Sequence, residues 1–459
     1  MGFLWSAVYD AAGRNIASVD PLANRSTQVY DAANRPVASR NPLGFAWTTT
    51  YDVVGNSIAS QNPRGYTSTS VFDALRRATQ TADALGFTTT SAFDANSRRI
   101  SITDPAGGII TLGYNARGDT LSQANQLNQI TSFTIDALGR NATRTLATGA
   151  VASYSYDPVG RQSGTQYSDG TRTTLQYDAV SNRTTMVDAI GTYTFTYDPR
   201  DLISGRTDFG FSQAITYDPA QQRKTLTEPD GGVRSYVWDN AGRIANYTNS
   251  AGVLSTFAFD PADRLVTSTY GTGSARIVSY DAASQIVSLL FTASGVASEL
   301  ATITWDGAGN KSGRRDLAGN LTTYTMDAKD RLTQDSTSGP NAHLFNYSYD
   351  SRDNILTNSE SGTPVSASYD AADRLVTNMS GNQTTTFLFD AAGNLTVANA
   401  AGVFVTMAYD PENRLSVHQQ AGSVATFLYD PDNLKRIENV DGAVTTILWD
   451  GMDYLQARS

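Results

Sequence analysis

Cysteine is absent from this chain of 459 residues, and histidine occurs only twice. Without cysteine the fold has neither disulfides nor thiolate metal ligands, so its stability must come from strand pairing and accumulated burial. His343 and His418 stand in no metal-ligand spacing and beside no recognisable nucleophile motif. We therefore predict no catalytic residues, no metal site and no cofactor, and we expect a protein that is not an enzyme.

Long apolar runs and positive charge are also scarce. No segment reaches the roughly 18 apolar residues of a membrane span, and Met1–Trp5 shows no basic segment followed by a long apolar stretch. The sequence therefore predicts no membrane span and shows no signal peptide. The formal charge of −10 and the pI near 4.8 disfavour nucleic acid as a partner, because phosphate binding needs a concentrated basic surface.

A sustained apolar pattern with the period of an α-helix is missing as well. The chain has instead one motif, an aromatic or apolar residue followed by Asp or Asn, which occurs 22 times at steps mostly of 20 or 21 residues. A fixed period in this range indicates one supersecondary unit copied many times. The anchors, as we call the first residues of the motif, are Tyr9, Tyr30, Tyr51, Phe72, Phe93, Tyr114, Ile135, Tyr156, Tyr177, Tyr197, Tyr217, Trp238, Phe259, Tyr280, Trp305, Met326, Tyr349, Tyr369, Phe389, Tyr409, Tyr429 and Trp449.

Each repeat is predicted to form a turn, a strand, a second turn and a second strand. The Asp52 carboxylate can accept hydrogen bonds from backbone N–H groups two or three residues on, and Gly55 tolerates a positive φ. This is the chemistry of a short hairpin loop closed by a bulge. The second turn carries Asn or Asp, often Pro, and then Gly, as in 62–65. Between the turns, alternating apolar and polar residues rich in β-branched and aromatic types predict half-buried strands.

The number of strands limits the architecture. Twenty-two repeats of two strands give 44 strands, and at roughly 4.8 Å per strand a single ribbon would extend about 200 Å. A twisted sheet of that length cannot stay flat or open. We predict an all-β fold of tandem antiparallel β-hairpins that form a spiralling sheet, as a shell or partial shell. A β-propeller is the main rival, but its four-stranded blades would require an alternation of odd and even repeats that the sequence does not show.

The repeat predicts one continuous array over 1–459, with about 22 repeats. The two long steps, from Tyr280 to Trp305 and from Met326 to Tyr349, predict enlarged loops within 281–304 and 327–348. Neither end shows a polar cap of the kind that repeat arrays usually carry. Both ends resemble cuts through a longer array, which suggests a fragment, a truncated reading frame or ends that pack elsewhere.

Charged residues recur in register with the motif. Arginine follows the first turn at Arg14, Arg35 and Arg140, a distribution expected of a structural column. We interpret these residues as solvated turn arginines that pair with nearby Asp, each pair contributing little. The Asp that follows each anchor recurs because the turn requires it, so it is poor evidence for a catalytic acid and base pair. Calcium sites of β-rolls need a nine-residue Gly-Gly-x-Gly-x-Asp pattern, whereas this chain repeats at 21.

Aromatic residues outside the anchor position are the candidates for ligand contact, because aromatic rings suit the apolar faces of sugars. These residues are Trp47, Tyr66, Tyr167, Tyr193 and Tyr236. We predict glycan contact at these five positions, with structural burial as the alternative for each.

Written as Tyr-Asp-x-x-Gly-Arg/Asn-Leu/Ile, as in 9–16 and 389–395, the unit resembles the YD repeat of Rhs proteins, teneurins and the Tc toxin B and C components. The resemblance covers nearly the whole chain. It implies β-hairpins that spiral into a large hollow shell and, for bacterial members, export or surface association. Many such shells enclose a C-terminal toxin that a self-cleaving core segment releases. Neither the Asp-Pro-x-Gly signature of that core nor a toxin domain follows Trp449, so autoproteolysis and toxicity are not carried over.

Three functions follow as expectations. The first is a non-enzymatic YD/Rhs-repeat scaffold, a secreted or cell-surface β-shell module for binding or adhesion. The second is a fragment of a polymorphic-toxin shell that lacks its core and toxin, with a toxin cargo or the rest of a shell as partner. The third is a carbohydrate-binding surface with glycans or a cell-surface partner, and it is compatible with either. The resemblance implies an extracellular or cell-surface location.

Overall fold

The computed structural model describes residues 4–360 and 362–458. These residues form 44 β-strands of four to ten residues and no α-helix. The strands belong to one antiparallel sheet, in which each strand pairs with its neighbours in sequence. The predicted all-β fold of tandem antiparallel β-hairpins is therefore confirmed.

The strand boundaries follow the repeat, with an anchor at or next to the end of every odd-numbered strand. The strands are β1 (Ser6–Tyr9), β2 (Asn15–Val19), β3 (Arg25–Tyr30), β4 (Pro36–Arg40), β5 (Ala46–Tyr51), β6 (Ser57–Gln61), β7 (Thr67–Phe72), β8 (Ala78–Ala82), β9 (Thr88–Phe93), β10 (Arg99–Thr103), β11 (Ile109–Tyr114), β12 (Thr120–Ala124), β13 (Ile130–Ile135), β14 (Asn141–Thr145), β15 (Val151–Tyr156), β16 (Gln162–Tyr167), β17 (Arg172–Tyr177), β18 (Arg183–Val187), β19 (Thr192–Tyr197), β20 (Ile203–Asp208), β21 (Phe211–Tyr217), β22 (Arg223–Thr227), β23 (Val233–Trp238), β24 (Ile244–Thr248), β25 (Leu254–Phe259), β26 (Leu265–Tyr270), β27 (Ser274–Tyr280), β28 (Ile286–Ala293), β29 (Val296–Trp305), β30 (Lys311–Asp316), β31 (Leu321–Met326), β32 (Leu332–Ser338), β33 (His343–Tyr349), β34 (Ile355–Glu360), β35 (Thr363–Tyr369), β36 (Leu375–Ser380), β37 (Gln383–Phe389), β38 (Leu395–Ala400), β39 (Val403–Tyr409), β40 (Leu415–Gln420), β41 (Ser423–Tyr429), β42 (Lys435–Val440), β43 (Ala443–Asp450) and β44 (Asp453–Arg458).

The first turn of each repeat, which we call the anchor turn, comprises the five residues after the anchor. In the first repeat Asp10 Oδ1 accepts hydrogen bonds from the backbone N–H of Ala12 (2.9 Å) and of Arg14 (3.0 Å). These bonds reach two and four residues on, which corrects the predicted two or three, because the bulge adds one residue to the turn. Gly13 has φ +76°, and the strand register shifts at Tyr9, so the predicted bulge is confirmed.

The turn at the other end of each hairpin, the distal turn, has two common forms that differ in length. At Asn41 the side chain again accepts two backbone N–H groups, and the turn closes over five residues. At Ala401–Gly402 only two residues, with φ of +51° and +88°, join strands paired at Ala400 and Val403. This tight form is a type I′ turn. The turn loses three residues, while the two strands beside it gain one residue each, as in β38 and β39 compared with β4 and β5. The repeat is therefore one residue shorter, which explains the steps of 20 from Tyr369 to Trp449.

The two long steps lengthen strands rather than loops. β28 and β29 contain eight and ten residues, and the tight turn between them has positive φ at Ser294 and Gly295. β32 and β33 contain seven residues each. The enlarged loops predicted within 281–304 and 327–348 are therefore extended hairpins, because cross-strand pairing satisfies backbone groups that a loop would leave to water.

The chain divides into two compact units. Unit 1 comprises 1–92, 103–106 and 234–364, and unit 2 comprises 93–102, 107–233 and 365–459. We call the run of consecutive hairpins that one half of the chain contributes to a unit a pass. Each unit therefore contains two passes, one from the N-terminal half of the chain and one from the C-terminal half.

The anchors hold neighbouring hairpins together through their polar tips. The Tyr51 hydroxyl donates a hydrogen bond to the carbonyl oxygen of Pro36 (2.9 Å), and Tyr156 bonds Asn141 in the same way (2.8 Å). The Trp449 indole N–H donates to the carbonyl oxygen of Lys435 (2.7 Å). The anchor position therefore favours an aromatic residue that is half-buried and carries a hydrogen-bond donor at its tip.

The turn arginines link each repeat to the next. Arg35 Nε donates to Asp31 Oδ2 (2.7 Å), and its Nη1 donates to the carbonyl oxygen of Asp52 (2.8 Å) in the following repeat. The guanidinium also lies 4.8 Å from the centre of the Tyr51 ring. The predicted column and its pairing with Asp are confirmed. The turn arginines are only partly solvated, with the Arg35 side chain 30% exposed, and their bridge between two repeats was not predicted.

Candidate functional site

In unit 1 the two passes of the ribbon meet through charged turn residues. Arg64, in a distal turn of the N-terminal pass, donates to the carbonyl oxygen of Asp327 (2.8 Å) and to the Asp330 carboxylate (2.5 Å). Lys329 Nζ lies 2.8 Å from Asp83 Oδ2. We call the contacts between the two passes within a unit the seam.

A close backbone approach accompanies these ion pairs. A Cβ atom on Gly307, in an anchor turn of the C-terminal pass, would lie 2.8 Å from the Phe45 ring of the N-terminal pass. Only glycine fits this position without a shift of the ring, so the seam in unit 1 is packed as well as paired.

In unit 2 the seam joins residues that are far apart in sequence. Arg144 Nη2 donates to Glu412 Oε2 (2.7 Å), across 268 residues. Arg183 forms a bidentate pair with Asp432 (2.7 and 2.5 Å), across 249 residues. Two-bond guanidinium–carboxylate pairs fix orientation as well as distance, so they set the register of one pass against the other.

The seam of unit 2 also contains a buried charge cluster, formed by Arg206, Asp208, Asp430 and Arg436. Arg436 is fully buried and donates to Asp430 (2.7 Å) and to Asp208 (3.0 Å). Arg206 donates to the other oxygen of Asp208 (2.7 Å). Burial raises the pKa of Asp430 to about 7, and it raises the pKa of Asp208 as well. Two cations thus face two carboxylates away from water.

Next to the Arg144–Glu412 pair, unit 2 opens into a cleft of about 610 Å³. Distal turns of the N-terminal pass form one side, with Tyr167, Arg172 and Asp188 among the lining residues. Anchor turns and strand ends of the C-terminal pass form the other side, with Tyr409 and Phe427. Burial, and after it the charge of Glu412, raises the pKa of Tyr167.

The five aromatic residues predicted to contact glycans have different surroundings. In unit 1, Trp47 lines a cleft of about 620 Å³, Tyr66 is 37% exposed beneath the guanidinium of Arg64, and Tyr236 is half-buried with its ring centre 5.4 Å from that of Tyr247. In unit 2, Tyr167 lines the cleft described above.

Tyr193 is a correction to this prediction. It is fully buried and packs with Met186 and Phe195 in a hydrophobic cluster of unit 2, so its ring faces are not available to a sugar. The ring contacts Phe209 edge to face, with centres 5.6 Å apart. Glycan contact at Trp47, Tyr66, Tyr167 and Tyr236 remains a prediction.

The histidines have ordinary surroundings. His343 Nε2 lies 3.0 Å from Thr337 Oγ1 and 3.4 Å from Asp335 Oδ1, and His418 lies in β40. Over residues 4–360 and 362–458, no three His, Asp or Glu side chains are grouped as metal ligands would be. In the same ranges there is no helix of sufficient length and apolarity to cross a lipid bilayer.

Sequence reasoning missed the seam, although one position carries a signal for it. The third residue of the anchor turn is Ala, Val or Leu in most repeats, whereas six repeats have a charged residue there. Arg117 and Arg200 of the N-terminal pass pair within their own turns, and the other four belong to the C-terminal pass. These residues and their seam partners are Lys329 with Asp83, Arg352 with Asp104, Glu412 with Arg144 and Asp432 with Arg183. At this third position of the anchor turn, the C-terminal pass thus contributes cations in unit 1 and anions in unit 2.

Comparisons with known proteins agree with this architecture. A family model, the Teneurin YD-shell, matches residues 315–450. The crystal structure of TcdB2-TccC3-Cdc42 superposes with a TM-score of 0.74 at 14% identity, over 97% of this chain and 29% of that chain. The structure of the Photorhabdus luminescens Tc holotoxin pore gives the same values. No curated protein sequence matches the chain.

The repeat and the family match over 315–450 show that the chain resembles YD/Rhs-repeat proteins, and its fold is similar to that of a YD shell. At 14% identity the likeness to the toxin structures shows the fold alone. The chain spans about 29% of the length of the toxin chains that it matches.

Proposed function

We propose that this chain is a wall segment of a YD-repeat shell that encloses a second polypeptide. The seam is the observation that supports this function. A free ribbon of hairpins would leave both of its rows of turns in solvent, whereas in each unit turn residues of one pass contact the other pass. Within each unit, ion pairs, a bidentate guanidinium contact and buried charges join one pass to another. This construction suits a continuous wall better than a free ribbon.

The comparisons give this proposal its context. The structures that superpose on nearly the whole chain are TcdB2-TccC3 assemblies and a Tc holotoxin pore. In our proposal the residues 1–459 act as one array, as a scaffold and not as an enzyme. The YD-repeat resemblance further implies an extracellular or cell-surface location, which we include in the proposal.

The test is protease protection of the native protein purified from its source through an antibody against this chain. We expect a second polypeptide, or a further segment of the same one, that resists proteinase K until the wall is opened. Arg436→Met should open the wall and expose this cargo, because it removes a buried cation from the seam. Arg99→Met is the matched control, since Arg99 is exposed in unit 2.

Two results would contradict the proposal. One is a native particle that contains no protected polypeptide. The other is a copurifying polypeptide that proteinase K digests at the same rate in the native protein and in the Arg436→Met variant.

A further inference from the structure

We propose that the cleft of unit 2 binds an arginine side chain of a second polypeptide. Ligand clefts in proteins are concave, occupy roughly 300–1,000 Å³ and combine aromatic walls with a few convergent polar groups. The cleft has a volume of about 610 Å³, and its aromatic lining includes Tyr167 and Tyr409. The inference does not depend on the proposed function, because the cleft can take a short peptide segment whether or not the wall encloses it.

The repeat itself shows how an anchor turn holds a guanidinium group. Arg374 Nε donates a hydrogen bond to Asp370 Oδ2 (2.7 Å), and the Arg374 guanidinium lies 4.9 Å from the centre of the Phe389 ring. Arg414 is held in the same way two repeats later, 5.0 Å from the centre of the Tyr429 ring. Each of these sites combines the carboxylate of one anchor turn with the ring of the next anchor.

The repeat between these two sites lacks the cation. Asp390 and Tyr409 are its carboxylate and its ring, and both line the cleft, but Asn394 stands where the neighbouring repeats have arginine. Asp390 Oδ2 accepts a hydrogen bond from Asn394 Nδ2 (2.9 Å). The neighbouring arginines pair with the Asp of their own turns, and no cation within the described ranges pairs with the Asp390 carboxylate. This repeat therefore has two of the three parts of a guanidinium site.

Unit 1 shows that an arginine from elsewhere can complete such a turn. The anchor turn at Asp306 also has asparagine at this place, and Asn310 Nδ2 donates to Asp306 Oδ2 (3.1 Å). Arg64 of the other pass approaches the same oxygen, with its Nε 3.5 Å away. The asparagine therefore leaves room for a guanidinium group beside the carboxylate. At Asp390 the N-terminal pass, as far as the structure describes it, places no arginine within ion-pair distance, so the arginine of a second polypeptide takes this place.

The charge of the lining also favours a cationic side chain. Five carboxylates line the cleft, those of Asp169, Asp188, Asp390, Asp410 and Glu412. Arg172 and Arg414 are the guanidinium groups of the lining, and Arg144 beside it pairs with Glu412. Five carboxylates thus face three guanidinium groups, so a further cation improves the balance and a further anion worsens it.

The test is saturation-transfer difference NMR of the purified chain with the peptide Ac-Gly-Arg-Gly-NH₂ and its citrulline counterpart. Citrulline has nearly the shape of arginine without the charge, so the two peptides isolate the effect of the guanidinium charge. We expect saturable binding of the arginine peptide with a Kd of about 1 mM, and binding of the citrulline peptide that is weaker by about tenfold or more. The side-chain protons of the peptide arginine should shift upfield, because they lie over the Tyr409 ring.

Three variants of unit 2 locate the site. Asp390→Asn removes the charge and keeps the turn, since Asn115 makes the same turn bonds in its own repeat, and it should weaken binding about tenfold. Asn394→Arg restores the arginine of the neighbouring repeats, so its own guanidinium should cover the Tyr409 ring and abolish peptide binding while the fold is kept. Asp178→Asn is the matched control, because its anchor turn also has asparagine at the fourth place and lies outside the cleft lining. It should bind the peptide like the wild type. Circular dichroism of each variant shows whether the sheet is retained.

Four results would overturn the inference. The first is the absence of saturable binding of the arginine peptide. The second is equal binding of the citrulline peptide, which would make the contact independent of charge. The third is binding that Asp390→Asn and Asn394→Arg leave unchanged, which would place the arginine elsewhere on the chain. The fourth is tighter binding of spermidine than of the arginine peptide, which would make the ligand a free polyamine.

Discussion

Removal of the Arg436 cation is the sharpest perturbation of the seam. Arg436 is fully buried and makes two bonds to Asp430 and Asp208. At pH 8, where Asp430 with its pKa of about 7 is ionised, Arg436→Met leaves both carboxylates out of water with Arg206 as the one cation left in the cluster. Breaking a buried ion pair from one side costs about 3–5 kcal/mol, because it leaves an uncompensated buried charge. We therefore expect a loss of this size in the local stability of unit 2.

Hydrogen exchange followed by mass spectrometry is the appropriate assay, because repeat arrays unfold in parts and a single global transition is not assured. Amides of β20, β21 and β42, which surround the cluster, should exchange about two to three and a half powers of ten faster in Arg436→Met, at roughly 1.4 kcal/mol per factor of ten. The control Arg99→Met should change them by less than about 0.5 kcal/mol, as surface substitutions usually do.

A double variant completes the test. Asp430→Asn removes one of the two stranded carboxylates, so Arg436→Met should cost less in that background than in the wild type. Side chains in direct contact commonly show coupling of about 0.5–3 kcal/mol. A loss below about 1 kcal/mol in Arg436→Met, or strict additivity with Asp430→Asn, would refute the account of a buried, mutually compensating cluster.

Three other predictions concern pH, the anchors and the tight turns. Burial raises the pKa of Asp430 in the folded protein to about 7, against an ordinary value of 3.8, so its contribution to stability is fully present below pH 3.8 and is lost as the pH rises through about 7. The protection of β42 amides, corrected for intrinsic exchange, should therefore fall between pH 5 and pH 8, and an increase would contradict the assignment. Tyr51→Phe removes the hydrogen bond to Pro36 and should cost about 0.5–1.5 kcal/mol, seen as faster exchange of β4 and β5 amides. An unchanged rate would mean that the hydroxyl bond adds nothing. Gly402→Ala forces a side chain into φ +88° where a Cβ meets no other atom, so backbone strain alone should cost about 1–2 kcal/mol. Ala401→Gly at the adjacent residue should cost nothing when exchange of the β38 and β39 amides is compared for the two variants, and equal effects of the two changes would argue against the type I′ turn.

The local structure of each hairpin could be predicted because it depends on residues close in sequence. Asp10 and Gly13 specify the anchor turn within one repeat, and the step of 21 residues places the same chemistry along the chain. The shortening of the repeat from 21 to 20 residues could also have been explained from the sequence. Ala401–Gly402 has the composition of a tight turn, and its shorter loop accounts for the missing residue.

The candidate sites were harder to predict because they depend on contacts between distant passes. Arg144 and Glu412 are 268 residues apart, and the curvature that brings them together accumulates over many strands. Tyr193 was predicted at a ligand surface, yet it stands four residues before the anchor Tyr197. In a strand this spacing puts both on one face, so the period of two would have assigned Tyr193 to the packed side.

A zero-length cross-link tests the seam, on which the account depends. Carbodiimide treatment at low protein concentration should join Lys329 to Asp83, whose charged atoms lie 2.8 Å apart in unit 1 although the residues belong to different passes. The same lysine lies 2.5 Å from Asp353, which gives an internal positive control, and Lys329→Arg should abolish both products while keeping the charge. Mixed isotopic labelling distinguishes links within one chain from links between chains. The account predicts the Lys329–Asp83 peptide within one chain, whereas formation of the Lys329–Asp353 link alone would contradict it.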